Sequence, residues 1–289
     1  MRPAVAAPVS LVVLGHGSRC AEGVAEFWSL LAKIRQLLPQ VRCSGGFIEL
    51  ARPSLSEVLD EVAEAGGREV VGVPLVLLGA GHLKQDGADA VADANSRWNG
   101  SPTFRYGRQL GVHPSVLEVA AARATAALAD LPGEEPAWVV LVGRGSTDPD
   151  ANSDLFKVAR LAEDPYGLSH AEAAFVSLSP PSVPDALDRC RRLGAQRIAV
   201  VPYFLFDGVL VRRISAQAGE WAARNPGVRV AVSDHLGPAD SIAALVVERY
   251  WEAVAGDVGM SCDMCAYRVP LPGYEARTAA GGPERATAG

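Results

Sequence analysis

The sequence predicts an α/β protein built from two copies of one unit, each a doubly wound, mainly parallel four-stranded sheet flanked by helices. Two observations carry this: the chain repeats itself at a constant offset, and apolar runs of strand length alternate with segments of helical spacing. At an offset of 128 residues, which brings Pro8 onto Pro136, PVSLVVLGHGS lies on PAWVVLVGRGS. Gly15 then falls on Gly143, Gly17 on Gly145 and Ser18 on Ser146. The same offset lays GFIELARPSL (Gly46–Leu55) on AFVSLSPPSV (Ala174–Val183), and VPLVLLGAGHL (Val73–Leu83) on VPYFLFDGVLV (Val201–Val211). A constant offset across three separated segments means a duplication with almost no net insertion.

In the first copy the apolar runs predict strands near 10–14, 42–48, 69–78 and 103–108. Apolar residues at i, i+3 and i+4, as in Val24, Phe27, Trp28 and Leu31 or Leu55, Val58, Leu59 and Val62, predict helices near 22–38, 53–65, 85–97 and 114–130. Pro53 and Pro181 stand where a helix's first turn tolerates proline. The second copy repeats the strands near 138–142, 172–177, 197–206 and 228–233. Runs such as VVGVPLVLL imply parallel sheets covered on both faces. The expected division is an N-terminal unit over 8–130, a turn-rich link LPGEEP, a C-terminal unit over 136–258, and a small, polar, glycine-rich tail over 259–289 expected to be disordered.

Composition narrows the function classes. With 289 residues, 49% apolar and 21% charged, the chain can bury a substantial core. A net charge of −6 argues against a general nucleic-acid binder, and no stretch approaches the roughly 20 apolar residues of a spanning helix. The N-terminus lacks signal-peptide architecture, and five cysteines with no framework fit a reducing compartment, so a soluble, cytoplasmic protein is expected.

The chemistry concentrates in the first copy. His16, Glu49 and His82 fall at or just beyond the carboxyl ends of successive parallel strands, and such ends share one edge of a sheet. Two imidazoles and a carboxylate suit a divalent first-row metal, and the same groups are competent general bases. The duplication supplies a control: at the offset positions stand Arg144, Ser177 and Leu210, so all three candidates are lost together while the glycines and apolar framework are kept. A set lost as a set belongs to one function. Gly79, Gly81 and LLGAGHLKQD read as a flexible loop presenting His82, with Asp86 either orienting that imidazole or capping the next helix. Arg144, with Arg19, Arg52, Lys84, Arg212 and Arg213, can bind an anionic ligand, though each is also an ordinary surface residue.

The motifs GHGS, FIEL, PLVLLGAGH, VGRGSTDPDANSD and VPYFLFDGVLVRRI resemble those of the sirohydrochlorin chelatases of the long, two-unit CbiX type, over roughly residues 8–268. The resemblance implies insertion of Co2+ or Fe2+ into sirohydrochlorin without ATP, toward cobalamin or siroheme, with the active site in the cleft between the units. It maps the family's metal-handling pair onto His16 and His82 and the acidic partner onto Glu49. It leaves the second unit a substrate-shaping role. An octa-carboxylate substrate implies cationic or N–H-rich walls, here Ser18, Arg19, Arg52, Gly81, Lys84 and Arg144. Cobalt is favoured because the long form with a cysteine tail looks more like the cobalt enzymes.

Two features keep other readings open. Met260-Ser-Cys-Asp-Met-Cys265 offers two thiolates at metal-site spacing. In some of the long chelatases such a tail carries an iron–sulfur cluster, which here takes a second chain to complete, so the protein is read as a monomer or a homodimer. A redox-sensitive thiol pair is the simpler alternative. A carrier that binds metal or tetrapyrrole without inserting one has the same residues as the enzyme. A histidine phosphatase also sets a His after its first strand, but Gly15 stands where its arginine is needed.

Overall fold

A computed structural model describes residues 9–79, 81–166, 168 and 170–256, and for 81–84 and 164–166 it describes the backbone alone. The elements are β1 (Ser10–Gly15), α1 (Ala21–Leu37), β2 (Cys43–Phe47), α2 (Leu55–Glu64), β3 (Glu69–Pro74), α3 (Gly81–Arg97), β4 (Thr103–Tyr106) and α4 (Pro114–Ala129). The second copy follows as β5 (Ala137–Gly143), α5 (Pro149–Tyr166), β6 (His170–Phe175), α6 (Val183–Arg192), β7 (Arg197–Pro202), α7 (Val209–Arg224), β8 (Arg229–Val232) and α8 (Asp240–Ala255).

Two four-stranded sheets result, ordered β2-β1-β3-β4 and β6-β5-β7-β8, with every pairing parallel. The central strands are apolar throughout and fully buried, Leu11–Leu14 in β1 and Val139–Val142 in β5, because helices cover both faces. Pairing obeys the repeat: Leu11 stands opposite Cys43 as Val139 stands opposite Ala171. The offset shortens by two residues before the last strand, since Glu69 pairs with Thr103 but Arg197 with Arg229. Beyond it, Leu110-Gly111 therefore matches Leu236-Gly237, and both glycines take positive φ, 70° and 72°.

Several boundaries differ from the sequence expectation. β3 stops at Pro74 rather than 78, and β7 at Pro202 rather than 206. After Leu75 donates to the Leu14 carbonyl at 2.8 Å, the neighbouring strands have ended, so Val76 and Leu77 are buried as loop. α2 starts at Leu55, capped by Ser54, whose hydroxyl accepts from the Glu57 amide while the Glu57 carboxylate accepts from the Ser54 amide. The capping box recurs as Ser182 and Asp185 at the head of α6. Pro53 and Pro181 thus precede the caps, and the first-turn prolines among the described helices are Pro114, Pro149 and Pro184. α3 begins at Gly81 rather than 85, which takes His82 and Lys84 into its first turn.

The compact units do not coincide with the sequence repeats. One unit gathers β1, Phe27–Gly111 and nearly all of α8; the other gathers Val112–Ile242 with Cys20–Glu26 at the head of α1. The last helix of each repeat therefore serves the sheet of the other: α4 packs on β7, and α8 on the unit containing β1. In that unit the Tyr250 hydroxyl donates to the Val9 carbonyl at 2.6 Å, and Arg249 donates to the carbonyls of Gln109 (3.1 Å) and Leu110 (3.0 Å). Arg249 is buried and also pairs with Glu252 at 2.6 Å, which offsets the cost of taking its charge out of water. Its equivalent Arg123 reaches the Leu236 carbonyl of the other unit at 3.4 Å and stays partly exposed.

Arg249→Ala is expected to cost about 3 kcal/mol in chemical denaturation, because it strands Glu252 and two carbonyls. Arg123→Ala is expected to cost less than about 1 kcal/mol, the range of exposed pairs.

Candidate functional site

The junction between the ends of β1 and β2 builds the site. Beyond the last paired strand residues, the Ile48 amide donates to the Gly15 carbonyl at 2.9 Å and the Glu49 amide to the His16 carbonyl at 3.0 Å. The backbone thus stays paired for two residues past the strands and brings the two side chains alongside. His16 Nε2 lies 3.4 Å from Glu49 Oε1, with the side chains 39% and 55% exposed, so both remain open to a ligand from solvent. Gly17 makes this possible: its φ is +97°, and a Cβ there would lie 1.7 Å from the Glu49 carbonyl oxygen.

The turn that follows is unusual. The Ala51 amide donates to the Glu49 carbonyl at 2.8 Å across Leu50, whose φ is 63°. This i→i+2 bond over a positive φ is a γ-turn, costing roughly 1–2 kcal/mol at a residue with a branched side chain. The second copy reproduces the junction without the chemistry. Val176 and Ser177 donate to Gly143 and Arg144 at 3.0 and 3.1 Å, Gly145 has φ +83°, and Leu178 sits at φ 62° with the Ser179 amide on the Ser177 carbonyl. There the loop is also tied by Asn152, which accepts from the Ser146 amide at 3.0 Å and donates to the Ser146 carbonyl at 2.8 Å.

Of the residues singled out from sequence, the structure brings His16 and Glu49 together. His82 lies in the first turn of α3, whose preceding strand β3 is hydrogen-bonded to β1. The side chains of His82 and Lys84 fall outside those described. Because α3 starts at Gly81, Asp86 sits inside the helix and is not its cap. Burial, and then the nearby Asp86 carboxylate, push the Tyr106 hydroxyl up from its ordinary range. Ser18 is half-buried, and Arg19 and Arg144 are exposed. Arg52 is exposed and ion-paired with Glu57. The hydrogen bonds from Ser54, and then Arg52, hold the Glu57 carboxyl down at about 2. Cys262 and Cys265 lie outside the described residues.

Sequence reading missed a second group of ligand-type atoms. Among the described residues, Cys20 Sγ and carboxylate oxygens of Glu22 and Asp207 lie within 4.8 Å of one another. Their centre is supplied with charge by Arg212, which donates to Asp207 at 2.9 Å and to Cys20 at 3.1 Å and approaches Glu22 at 3.4 Å. The hydrogen bond to Asp207 raises the Arg212 guanidinium further above its ordinary value. Arg212, counted from sequence among the ligand-binding cations, is therefore engaged in a structural ion pair. Asp207 is fixed in turn through its amide on Glu26 at 2.7 Å, and Glu26 faces His235 at 3.0 Å.

The family model for CbiX matches the chain twice, over residues 10–127 and 138–253. The chain belongs to the CbiX family. Among relatives of this CbiX chain, the sirohydrochlorin cobaltochelatase of Priestia megaterium is 33% identical over 91% of the chain and 85% of the relative. The sirohydrochlorin ferrochelatase of Bacillus subtilis is 26% identical over 86% of the chain and 94% of the relative. Of solved structures, SirB from Bacillus subtilis with Fe3+ superposes with a TM-score of 0.75 at 26% identity, covering 86% of this chain and 96% of SirB. The two matched spans of the CbiX model follow the sequence repeats and not the compact units, so the helix exchange is a property of how the two repeats fold together.

Gly17→Ala and Gly145→Ala are each expected to cost about 2 kcal/mol, since both force a left-handed backbone and drive a methyl into a carbonyl oxygen at 1.7 and 2.0 Å. Urea denaturation checks this, and a cost below about 0.5 kcal/mol at either site would contradict it.

Proposed function

We propose that this chain inserts a divalent metal, Co2+ in preference to Fe2+, into sirohydrochlorin without ATP. The observation that carries the reading is the His16–Glu49 pair, 3.4 Å apart and open to solvent, in a member of the CbiX family. The preference for cobalt is supported by the 33% identity to a cobaltochelatase, against 26% to ferrochelatases. The alternative of a carrier that binds without inserting shares the same residues and is separated by turnover alone.

The residues suit the exchange. Metallation moves M2+ from the protein to four ring nitrogens and releases two pyrrolic protons. His16, Glu49 and His82 form the proposed metal set: a neutral imidazole and a carboxylate hold Co2+ or Fe2+ and give it up to a tetradentate ring. As the ion leaves, Nε2 of His16 regains a lone pair and takes one proton, and Glu49 takes the other. The site then loses two positive charges with the metal and gains two with the protons, so no net charge is stranded. Ser18, Arg19, Arg52, Gly81, Lys84 and Arg144 are the proposed contacts for the substrate carboxylates, with Arg52 first having to share its guanidinium with Glu57.

The decisive experiment incubates the protein with sirohydrochlorin and Co2+ or Fe2+ and follows the absorption spectrum. His16→Ala and His82→Ala are each expected to lose most of the rate, and Arg144→Ala to raise KM chiefly. A parent rate equal to the protein-free control would overturn the enzyme reading, and full activity in His16→Ala would overturn the site. The rate is expected to fall on the acid side, where protonated imidazole releases the metal and can no longer accept a proton. For the tail, Cys262 and Cys265 supply two of the four thiolates a cluster takes. Protein purified anaerobically is expected to carry iron and sulfide that Cys262→Ser loses, and iron-free parent protein would remove the cluster from the account.

A further inference from the structure

Leu50 combines three properties that folding alone does not explain. It is one of three non-glycine residues at positive φ among those described, the others being Asn99, a residue type that tolerates this region, and Leu178. Its side chain is 46% exposed. It sits next to Glu49, which faces His16. Exposed leucines are ordinary elsewhere on this surface, as at Leu37 and Leu193, but neither has the left-handed backbone. Glycine at position 50 would adopt the turn without strain and expose no apolar carbon, so both the backbone and the solvent disfavour the residue present.

The duplication shows that the leucine is not incidental. Across the repeat Glu49 becomes Ser177, Ala51 becomes Ser179 and Arg52 becomes Pro180, while leucine stands at both 50 and 178. Leu178 has the same φ, the same bond across the turn, and is 62% exposed. The copy that has given up the imidazoles and the carboxylate has kept a strained, exposed leucine. Its use is therefore separate from metal ligation. The backbone of the turn is tied, with the Glu49 amide on the His16 carbonyl, the Ala51 amide on the Glu49 carbonyl and the Glu49 carbonyl against Gly17, so Leu50 is placed at the junction by the backbone.

We propose that Leu50 is a substrate-contact residue that offers an apolar surface to the flat face of a tetrapyrrole. The inference rests on the chelatase reading and deepens it. Such a macrocycle carries its carboxylates on the rim and leaves two apolar faces, which the arginines and hydrogen-bond donors of the site do not satisfy. A backbone outlier retained beside a reactive group is the signature of a strained element kept for function.

The test measures binding of metal-free sirohydrochlorin to the full-length protein by quenching of the tetrapyrrole's fluorescence, alongside metal insertion. Leu50→Gly is expected to raise the dissociation constant and KM roughly five- to tenfold, the order expected for losing part of one leucine's apolar contact, with kcat little changed. Its melting temperature is expected to stay equal or rise by about 2–4 °C as the strain is relieved. Leu50→Met is expected to restore most of the affinity. Unchanged affinity in a stably folded Leu50→Gly protein would overturn the proposal, as would a lowered melting temperature, which would make the leucine a structural residue. A parent that binds sirohydrochlorin but never metallates it removes the chelatase reading and still leaves Leu50 to be judged by the binding constants.

Discussion

The hydrogen bond from the Glu49 amide to the His16 carbonyl is the interaction on which the site depends. It extends strand pairing past the ends of β1 and β2, and it is available only because Gly17 turns left-handed and leaves room for the Glu49 carbonyl. From that one contact follow the 3.4 Å approach of imidazole to carboxylate, the exposure of both, and the γ-turn that throws Leu50 outward. The backbone pairing at the sheet edge thereby brings an imidazole and a carboxylate to one exposed place, as the proposed metal site requires.

The same junction exists twice, and an imidazole–carboxylate pair occupies it once. In the second copy Gly145, Ser177 and Leu178 repeat the backbone to within a few degrees of φ at the leucine, yet Arg144 and Ser177 stand where His16 and Glu49 do in the first. Fold and function are thus separable inside one molecule. What both copies keep is the glycine, the paired backbone and the turn at the leucine. What only the first keeps is the imidazole–carboxylate pair, the pair we propose for metal handling. The exchange of α4 and α8 gives a further asymmetry: Arg249 is buried against the Leu110 carbonyl, while Arg123 is partly exposed and makes a longer bond to the Leu236 carbonyl.

Much of this was legible in the residues. The repeat gave two parallel sheets, and the simultaneous loss of three polar residues pointed to His16 and Glu49 before any distance was known. What was not legible has physical causes. Apolar runs do not distinguish a strand from a buried loop, so β3 and β7 read longer than they are. A repeat aligned in sequence order cannot say which sheet its last helix covers, because α4 and α8 present the same apolar stripe to either. The GHLK segment reads as loop through its glycine, yet helix begins there. Nothing in a leucine announces positive φ, so the turn at Leu50 left no trace in the sequence. Arg212 looked like a free cation because two of its three partners, Cys20 and Glu22, are some 190 residues away, and the third, Asp207, faces it only across the loop into α7.

The central claim is a single metal-handling site in one copy of a duplicated fold. X-ray absorption at the cobalt edge, on the full-length protein loaded with one equivalent of Co2+, tests it most directly. The account predicts imidazole scattering that diminishes in His16→Ala and is untouched in Arg144→Ala. A spectrum unchanged by His16→Ala would contradict it, because the metal would then be held by residues other than the pair at the β1–β2 junction.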